Sequence, residues 1–467
     1  MTEQQMNSNP TYQQPSCTPC AACNEPNTTT TRKRDVNETK TIADDTARRV
    51  PQLRFPEFQN AGEWELVTLK DIGKTYNGLS GKNGEDFGEG EPYVTYKQVF
   101  NGEPIKIEEC SLVTFRDGEK QHKLKKGDIL VTISSETAQE IGMANVITEN
   151  FKTNVYLNSF CFIFRPYNNC LIPSFAKYLF NSSSYRKQIV SIAQGITRYN
   201  ISKDNFLNLK LYIPNSQEQQ KVASCLLSID DEIVANTQKL EQLKTHKNAL
   251  LQKLFPQRGK TTPELRFPEF QNVGEWEENT LGGEFGICEL RNGYTPSKEN
   301  DQFWSNGTIP WFRMEDIRKH GRILVDSIQH ITPEAVKGEL FEAGSIIMST
   351  TATIGEYALI ISDSLANQRF TNLKIRKSRK DDLDTYFLFY YCHYISEWCK
   401  RNTNTGGLLS VDIDGLKRYK LYIPNDINEQ KKIAKIMRTI DDSIKATEQI
   451  IEILKLHKNG LMQQLFP

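Results

Sequence analysis

Two stretches of the chain place apolar residues at alternating steps of four and three. In the first, Val222, Leu226, Ile229, Ile233, Leu240, Leu243, Leu250 and Leu254 share one seam, with Asn236 and Lys247 filling its two gaps. In the second, the seam runs Ile433, Met437, Ile440, Ile444, Thr447, Ile451, Leu454, Lys458, Leu461 and Leu465. Such alternation marks a helix that pairs with another helix. Pro214 and Pro424 precede the two runs, Ser216–Gln219 and Asp426–Glu429 are spaced as capping boxes, and a Leu-Phe-Pro sequence closes each. About 38 helical residues reach roughly 57 Å. A seam of that length needs a partner: the other helix of the same chain is nearest, and a second chain is the alternative. Polar residues occupy the same two positions in both seams, where they cost stability and select register.

The rest of the chain is patterned differently. Short β-type runs, "DILVTIS" and "NSFCFIFRP" in the first half and "GSIIMST" and "YALIIS" in the second, predict strands. Each half then has an apolar helical stretch, residues 173–193 and 384–401, followed by a Gly-containing polar loop, "QGITRYNISKDN" and "TGGLLSVDIDG". The pattern predicts a compact α+β domain in each half, followed by a long helix.

The two halves are copies. "PQLRFPEFQNAGEWE" at Pro51 to Glu65 answers "PELRFPEFQNVGEWE" at Pro263 to Glu277. "KLYIPN" recurs at Lys210 and Lys420, "SIDDEI" at Ser228 answers "TIDDSI" at Thr439, and "HKNALLQKLFP" at His246 answers "HKNGLMQQLFP" at His457. The offset stays between 210 and 212 residues, too long for a solenoid repeat. Residues 78–205 and 291–412 diverge, so each copy is a constant frame around a variable insert. The resulting plan is a tail (1–50), a first domain (51–215), a first helix (216–256), a second domain (257–425) and a second helix (426–467). Leu53, Phe55, Phe58 and Pro56 of the repeated LRFPEF motif read as an apolar anchor that seats each domain on the frame.

Composition narrows the chemistry. The 467 residues include 58 basic and 58 acidic side chains, which argues against a polyanion-coating protein while leaving room for a local basic face. The ten cysteines follow no disulfide framework and no secretory signal or membrane span is visible, so reduced thiols in a cytoplasm are expected. The polar, Thr/Asn-rich tail reads as disordered. Its Cys17, Cys20 and Cys23 have metal-site spacing without a fourth ligand, so no metal is expected.

No catalytic constellation emerges. Gly78 to Asn83, "GLSGKN", lacks the first glycine and the Ser/Thr of a phosphate-binding loop. His246 and His457 lie in the frame helices beside the seam lysines and read as surface or interface histidines. What remains is recognition. If the helices pair antiparallel, two non-identical heads are related by a pseudo-twofold axis, the symmetry dimeric readers use on duplex DNA.

The repeated "LRFPEF…GEWE" motif, the stretch Asn292 to Trp311, the "ATIG" at Ala352 to Gly355 and the pattern "LYIP…EQ…IA…DD" together resemble the specificity subunit of type I restriction–modification systems. The resemblance spans residues 51–467 and both copies. It implies a non-catalytic chain built of two tandem target-recognition domains and two antiparallel coiled-coil helices, each domain reading half of an asymmetric bipartite site. The implied partners are double-stranded DNA, two modification subunits and two restriction subunits. S-adenosylmethionine, ATP and Mg belong to those partners, so no cofactor is expected here. The competing reading is a protein-interaction scaffold with two modules on a coiled coil.

Base reading uses Arg and Lys for guanine, Asn and Gln for adenine, and Ser and Thr as adaptable partners. In variable loops these select Lys97, Gln98, Ser134, Ser135, Thr137, Arg198, Tyr199 and Asn200 in the first domain. In the second they select Arg313, Thr350, Thr351, Thr353, Asn367, Gln368, Arg369, Asn404 and Ser410. Lys120, Lys123, Lys125, Lys126, Arg376, Lys377, Arg379 and Lys380 are candidate phosphate contacts.

Overall fold

A computed structural model describes residues 50–168, 170–257, 259–404 and 409–467. The tail, with Cys17, Cys20 and Cys23, lies outside the described residues.

The two inserts, unlike in sequence, share one topology. In the first module an antiparallel sheet has the order Gly73–Asn77, Cys161–Pro166, Ile129–Thr132, Ala144–Val146. In the second the same order appears as Cys288–Asn292, Phe370–Ile375, Ile346–Ser349, Tyr357–Ile360, with Ile323–Leu324 added in parallel at the edge. A three-stranded sheet lies beside each, centred on Phe87–Val94 or Ile309–Phe312, and each contains one parallel pair.

Alternation along the central strands explains why they read as continuous apolar runs. Ile129, Val131, Phe162 and Phe164 face one core, which includes the frame helix residues Val222 and Leu226. Leu130, Cys161 and Ile163 face a second core with Val94, Val99 and Leu157. The second module divides likewise, Ile346, Met348 and Leu373 on the frame side and Ile347, Ala358 and Ile360 on the other.

The helical stretch at 173–193 is two helices, Pro173–Leu179 and Ser183–Ser191, where the pattern predicted one. The Ser182 hydroxyl accepts from Tyr185 N and starts the second, so the serine cluster acts as a cap and interrupts the apolar period. The counterpart Thr385–Arg401 is continuous.

The long helices are Ser216–Leu254 and Ile427–Gln464. Every seam position is buried or half-buried, the polar Asn236, Lys247 and Lys458 included. The helices run antiparallel, because the cross-helix ion pairs join early residues of one to late residues of the other: Lys458 to Asp230 at 2.6 Å and Lys247 to Asp441 at 2.5 Å. These two pairs are symmetry mates in the duplication. Each aspartate also accepts from a tyrosine of its own module, Tyr178 at 2.8 Å for Asp230 and Tyr390 at 2.8 Å for Asp441. One carboxylate thus ties a module, its own helix and the opposite helix, and the seam lysine supplies the register.

Burial pushes the Asp230 carboxyl up, but hydrogen bonds from Lys177, Lys458 and Tyr178 outweigh it and leave the group below the usual carboxylate range. A depressed folded-state pKa contributes stability that is present above the unfolded value and lost as pH falls through the folded one. The wild-type chain is therefore expected to lose stability more steeply below about pH 4 than Asp230→Asn, measured by urea denaturation from pH 5 to pH 3.

Candidate nucleic-acid interface

The repeated frame residues position the modules, and they do so through polar anchors. At the start of the first long helix Asn215 is the cap, its side chain accepting from Glu218 N, in place of the Ser216 box expected from the sequence. Glu218 and Gln219 are thereby free to face the module. Arg54 donates to both Glu218 oxygens at 2.7 Å, and Trp64 Nε1 donates to the same carboxylate at 3.0 Å. Arg54 also donates to Gly62 O, presented by a backbone at φ 78° that glycine adopts without strain. Gln219 accepts from Ile172 N and donates to the carbonyls of Cys170 and Pro214.

The second copy repeats all of this. Arg266 and Trp276 hold Glu429, and Gln430 holds the backbone of Asp384, Asp382 and Pro424. Asp426 caps this helix as expected, through Asn428 N, but Glu429 takes no part in a box. The anchor of each module is thus an arginine and a tryptophan, Arg54 with Trp64 and Arg266 with Trp276. Leu53 and Leu265 are exposed at 40% and 45%, while Phe55 and Phe267 pack at the edge of the cores.

Each module is completed by the end of the opposite helix. Phe466 meets Trp64 at 6.1 Å and Phe175 at 5.6 Å in the first module. Phe255 meets Trp276 at 6.4 Å and Phe387 at 5.3 Å in the second. Leu53 N donates to Gln464 O, as Leu265 N donates to Lys253 O.

On this frame the candidate reading residues gather at one end of each central sheet. In the first module Ser134–Ser135 pairs with Tyr199–Asn200, Arg198 donates to Ser134 Oγ at 3.2 Å, and Tyr96 donates to Ser134 O. Tyr96 brings with it the short helix that carries Lys97. A cavity of about 600 Å³ opens here, lined by Ser134, Ser135, Arg198 and also by Tyr96, Phe100, Glu136 and Phe160, none of which the polar base-reading pattern selects. Lys97, Thr137, Arg198 and Asn200 are exposed.

In the second module Thr351 bridges Ser410, which pairs with Asn404, and Val411 N donates to Thr350 O. A cavity of about 280 Å³ is lined by Arg313, Asn367, Gln368 and Arg369, together with Thr295, Lys298 and Trp311. The Arg313 Nε is buried there without a hydrogen bond, and the Glu315 carboxylate stands 3.9 Å from it. Thr295 holds the Gln368 side-chain oxygen.

Several candidates have internal work instead. Gln98 closes a capping box with Thr95, accepting from its N–H at 3.0 Å. Thr350 is 5% exposed and bonds Thr371, and Thr353 Oγ1 meets Ser349 Oγ. Of the basic runs, Lys125 and Lys126 precede Ile129–Thr132, and Arg376, Lys377, Arg379 and Lys380 follow Phe370–Ile375. Both lie at the end of the sheet away from the candidate reading loops, roughly 13–20 Å along the strands. Arg376 donates to the carbonyls of Gly286 and Gly283, Arg379 donates to Asn279, and Lys380 pairs with Glu342. These arginines hold their own module together.

Among the described residues there is no His, Cys, Asp and Glu cluster able to hold a metal, and no helix is long and apolar enough to cross a membrane.

A sequence model of the type I restriction modification DNA specificity domain matches the chain twice, over residues 61–245 and 274–456. The type I restriction enzyme EcoprrI specificity subunit of Escherichia coli is 52% identical over 159 residues, 33% of this chain and 40% of that one. The shared stretch is thus less than half of that subunit's length. A putative type I restriction enzyme MjaX specificity subunit of Methanocaldococcus jannaschii is 25% identical over 415 residues, 86% of this chain and 92% of the relative. The solved type I restriction–modification S subunit from M. genitalium has the same fold, with a TM-score of 0.53 at 16% identity, covering 90% of this chain and 99% of that one.

Proposed function

The chain belongs to the family of type I restriction–modification DNA specificity domains, of which it carries two, and from that premise we propose that it reads an asymmetric bipartite DNA site, one half with each module. The observation that carries this reading is the contrast between frame and loops. One topology and one set of anchors hold both modules, while the residues at the reading end differ: Ser134, Arg198 and Phe160 in one, Arg313, Thr351 and Arg369 in the other. Identical heads would read a palindrome; these two suit two different half-sites. The antiparallel helices hold the heads at a fixed separation and so set the unread spacer.

The chain has no catalytic part in this reading. It works in the cytoplasm as the DNA-reading member of a complex with two modification and two restriction subunits. S-adenosylmethionine, ATP and Mg reside in those partners, and this subunit binds no cofactor. The Cys17, Cys20 and Cys23 group carries no metal.

Methylome sequencing of cells with and without the gene tests the proposal. Loss of one bipartite methylated motif is expected, and loss of none overturns it. Arg198→Ala is expected to relax bases in one half-site and leave the other intact. Equal change in both half-sites contradicts the assignment of one head to each half.

A further inference from the structure

Immediately before its central strand each module presents one exposed side chain, and the two differ in kind. Phe160 precedes Cys161, which pairs with Thr132. Arg369 precedes Phe370, which pairs with Ser349. Phe160 N donates to the Asn158 side chain at 2.8 Å, and Arg369 N donates to the Asn367 side chain at 3.0 Å. Phe160 O accepts from Ile133 N at 3.0 Å, and Arg369 O accepts from Thr350 N at 2.8 Å. Asn158 N and Asn367 N donate at 3.0 Å to Val94 O and Phe312 O, which end equivalent strands. Phe160 and Arg369 therefore occupy one and the same place on the two reading ends.

Phe160 is 57% exposed. Its backbone is bonded at both N and O, so the ring stands at a fixed height on the rim of the first cavity. Around it are Arg198, Ser134 and Glu136, with the stacked rings of Tyr96 and Phe100, 6.0 Å apart, as an apolar floor. One ring over an apolar floor, rimmed by Arg198, Ser134 and Glu136, is a smaller patch than a protein interface presents. It matches a single small apolar group set among polar base edges. In the major groove of duplex DNA that group is the thymine 5-methyl, and the counterpart of an arginine is the guanine O6/N7 edge.

We infer that Phe160 reads a thymine of the first module's half-site through its 5-methyl group, at the place where Arg369 reads a guanine for the second module. The inference rests on the bipartite reading proposed above. In both modules the Asn side chain and the neighbouring strand fix the backbone while the outward group changes from a ring to a guanidinium, so one scaffold serves two sequences.

The test uses the chain assembled with its modification subunits and duplexes carrying the bipartite motif. Thymines of each half-site are replaced singly by deoxyuridine, which lacks only the methyl group. Wild-type binding is expected to fall roughly fourfold at one thymine of the half-site that Arg198→Ala alters. Phe160→Ala is expected to bind the unmodified duplex more weakly by a similar factor, to show no further loss with deoxyuridine there, and to keep the other half-site. Arg369→Ala is expected to relax a guanine in that other half-site. Absence of any uridine-sensitive thymine in the first half-site, or retained sensitivity in Phe160→Ala, overturns the inference. So does 2-aminopurine fluorescence that rises on wild-type binding and not with Phe160→Ala, since that marks a wedge between bases. If the wild-type complex binds neither half-site, it is the bipartite reading itself that fails.

Discussion

Replacing Glu218 with alanine is expected to destabilise the first module by about 3–5 kcal/mol, the cost of leaving a buried cation without its partner. Glu218 is 1% exposed and Arg54 only 7% at the side chain, so water replaces little of what is lost. The Trp64 indole N–H loses its acceptor as well. The Glu218 carboxylate, through its hydrogen bonds to Arg54 and despite the opposing effect of burial, raises the guanidinium above its ordinary value; in the variant that support is gone, and a guanidinium, which proteins do not deprotonate, is left charged and partly desolvated. Urea denaturation followed by tryptophan fluorescence should show the first module melting early with the second unchanged. Glu429→Ala should give the mirror result through Arg266 and Trp276. Unchanged midpoints in both variants would show that the apolar contacts of the LRFPEF motif alone seat the modules.

Deleting seven residues from both long helices is expected to shorten the preferred spacer by about three base pairs. One heptad removes roughly 10 Å of helix, and successive base pairs rise by about 3.4 Å. The cut belongs between Asp230 and Lys247 in the first helix and between Asp441 and Lys458 in the second. Cut there, both cross-helix ion pairs can re-form, because each helix loses the same length between its own two partners. A heptad removed from only one helix leaves an aspartate and a lysine unable to meet their partners together, and is expected to yield an unstable chain rather than a new spacer. Methylome motifs of the paired deletion check the first outcome; an unchanged spacer would remove the helices from the role of ruler.

What the sequence disclosed depended on whether a residue's partners repeat or lie nearby. The seam from Val222 to Leu254 was legible because heptad spacing is local, and the duplication marked the same seam again from Ile433. The shared topology of the inserts was not legible, because register and backbone bonding fix it and side-chain identity does not. Asn158 and Asn367 do the same work, yet their neighbours Phe160 and Arg369 have nothing in common. The LRFPEF motif misleads because its apolar content points to Leu53 and Phe55, while the decisive partner of Arg54 lies 164 residues away at Glu218. Gln98 shows the limit of choosing readers by residue type: its amide is a good adenine reader, but a capping position three residues after Thr95 claims it first. Phe160 escapes notice in the sequence for the converse reason, since polarity selects no ring.

The closing of the first module by Leu465 and Phe466 bears on how the chain is made. Synthesis at about 5–20 residues per second delivers those two residues on the order of ten to fifty seconds after the strand Lys210–Ile213 has emerged to pair with Glu65–Thr68. Throughout that interval Trp64 and Phe175 lack the ring they meet in the folded chain. The second module needs only the start of the helix that directly follows it, Glu429 to Met437, because Phe255 precedes it. The half made first is therefore the half finished last, and a ribosome that stops short releases a chain whose earliest-made module still shows its interior to chaperones and proteases. The edge-on contact of Phe466 with Trp64 thus closes the earlier-made module only after the later-made helix has been added.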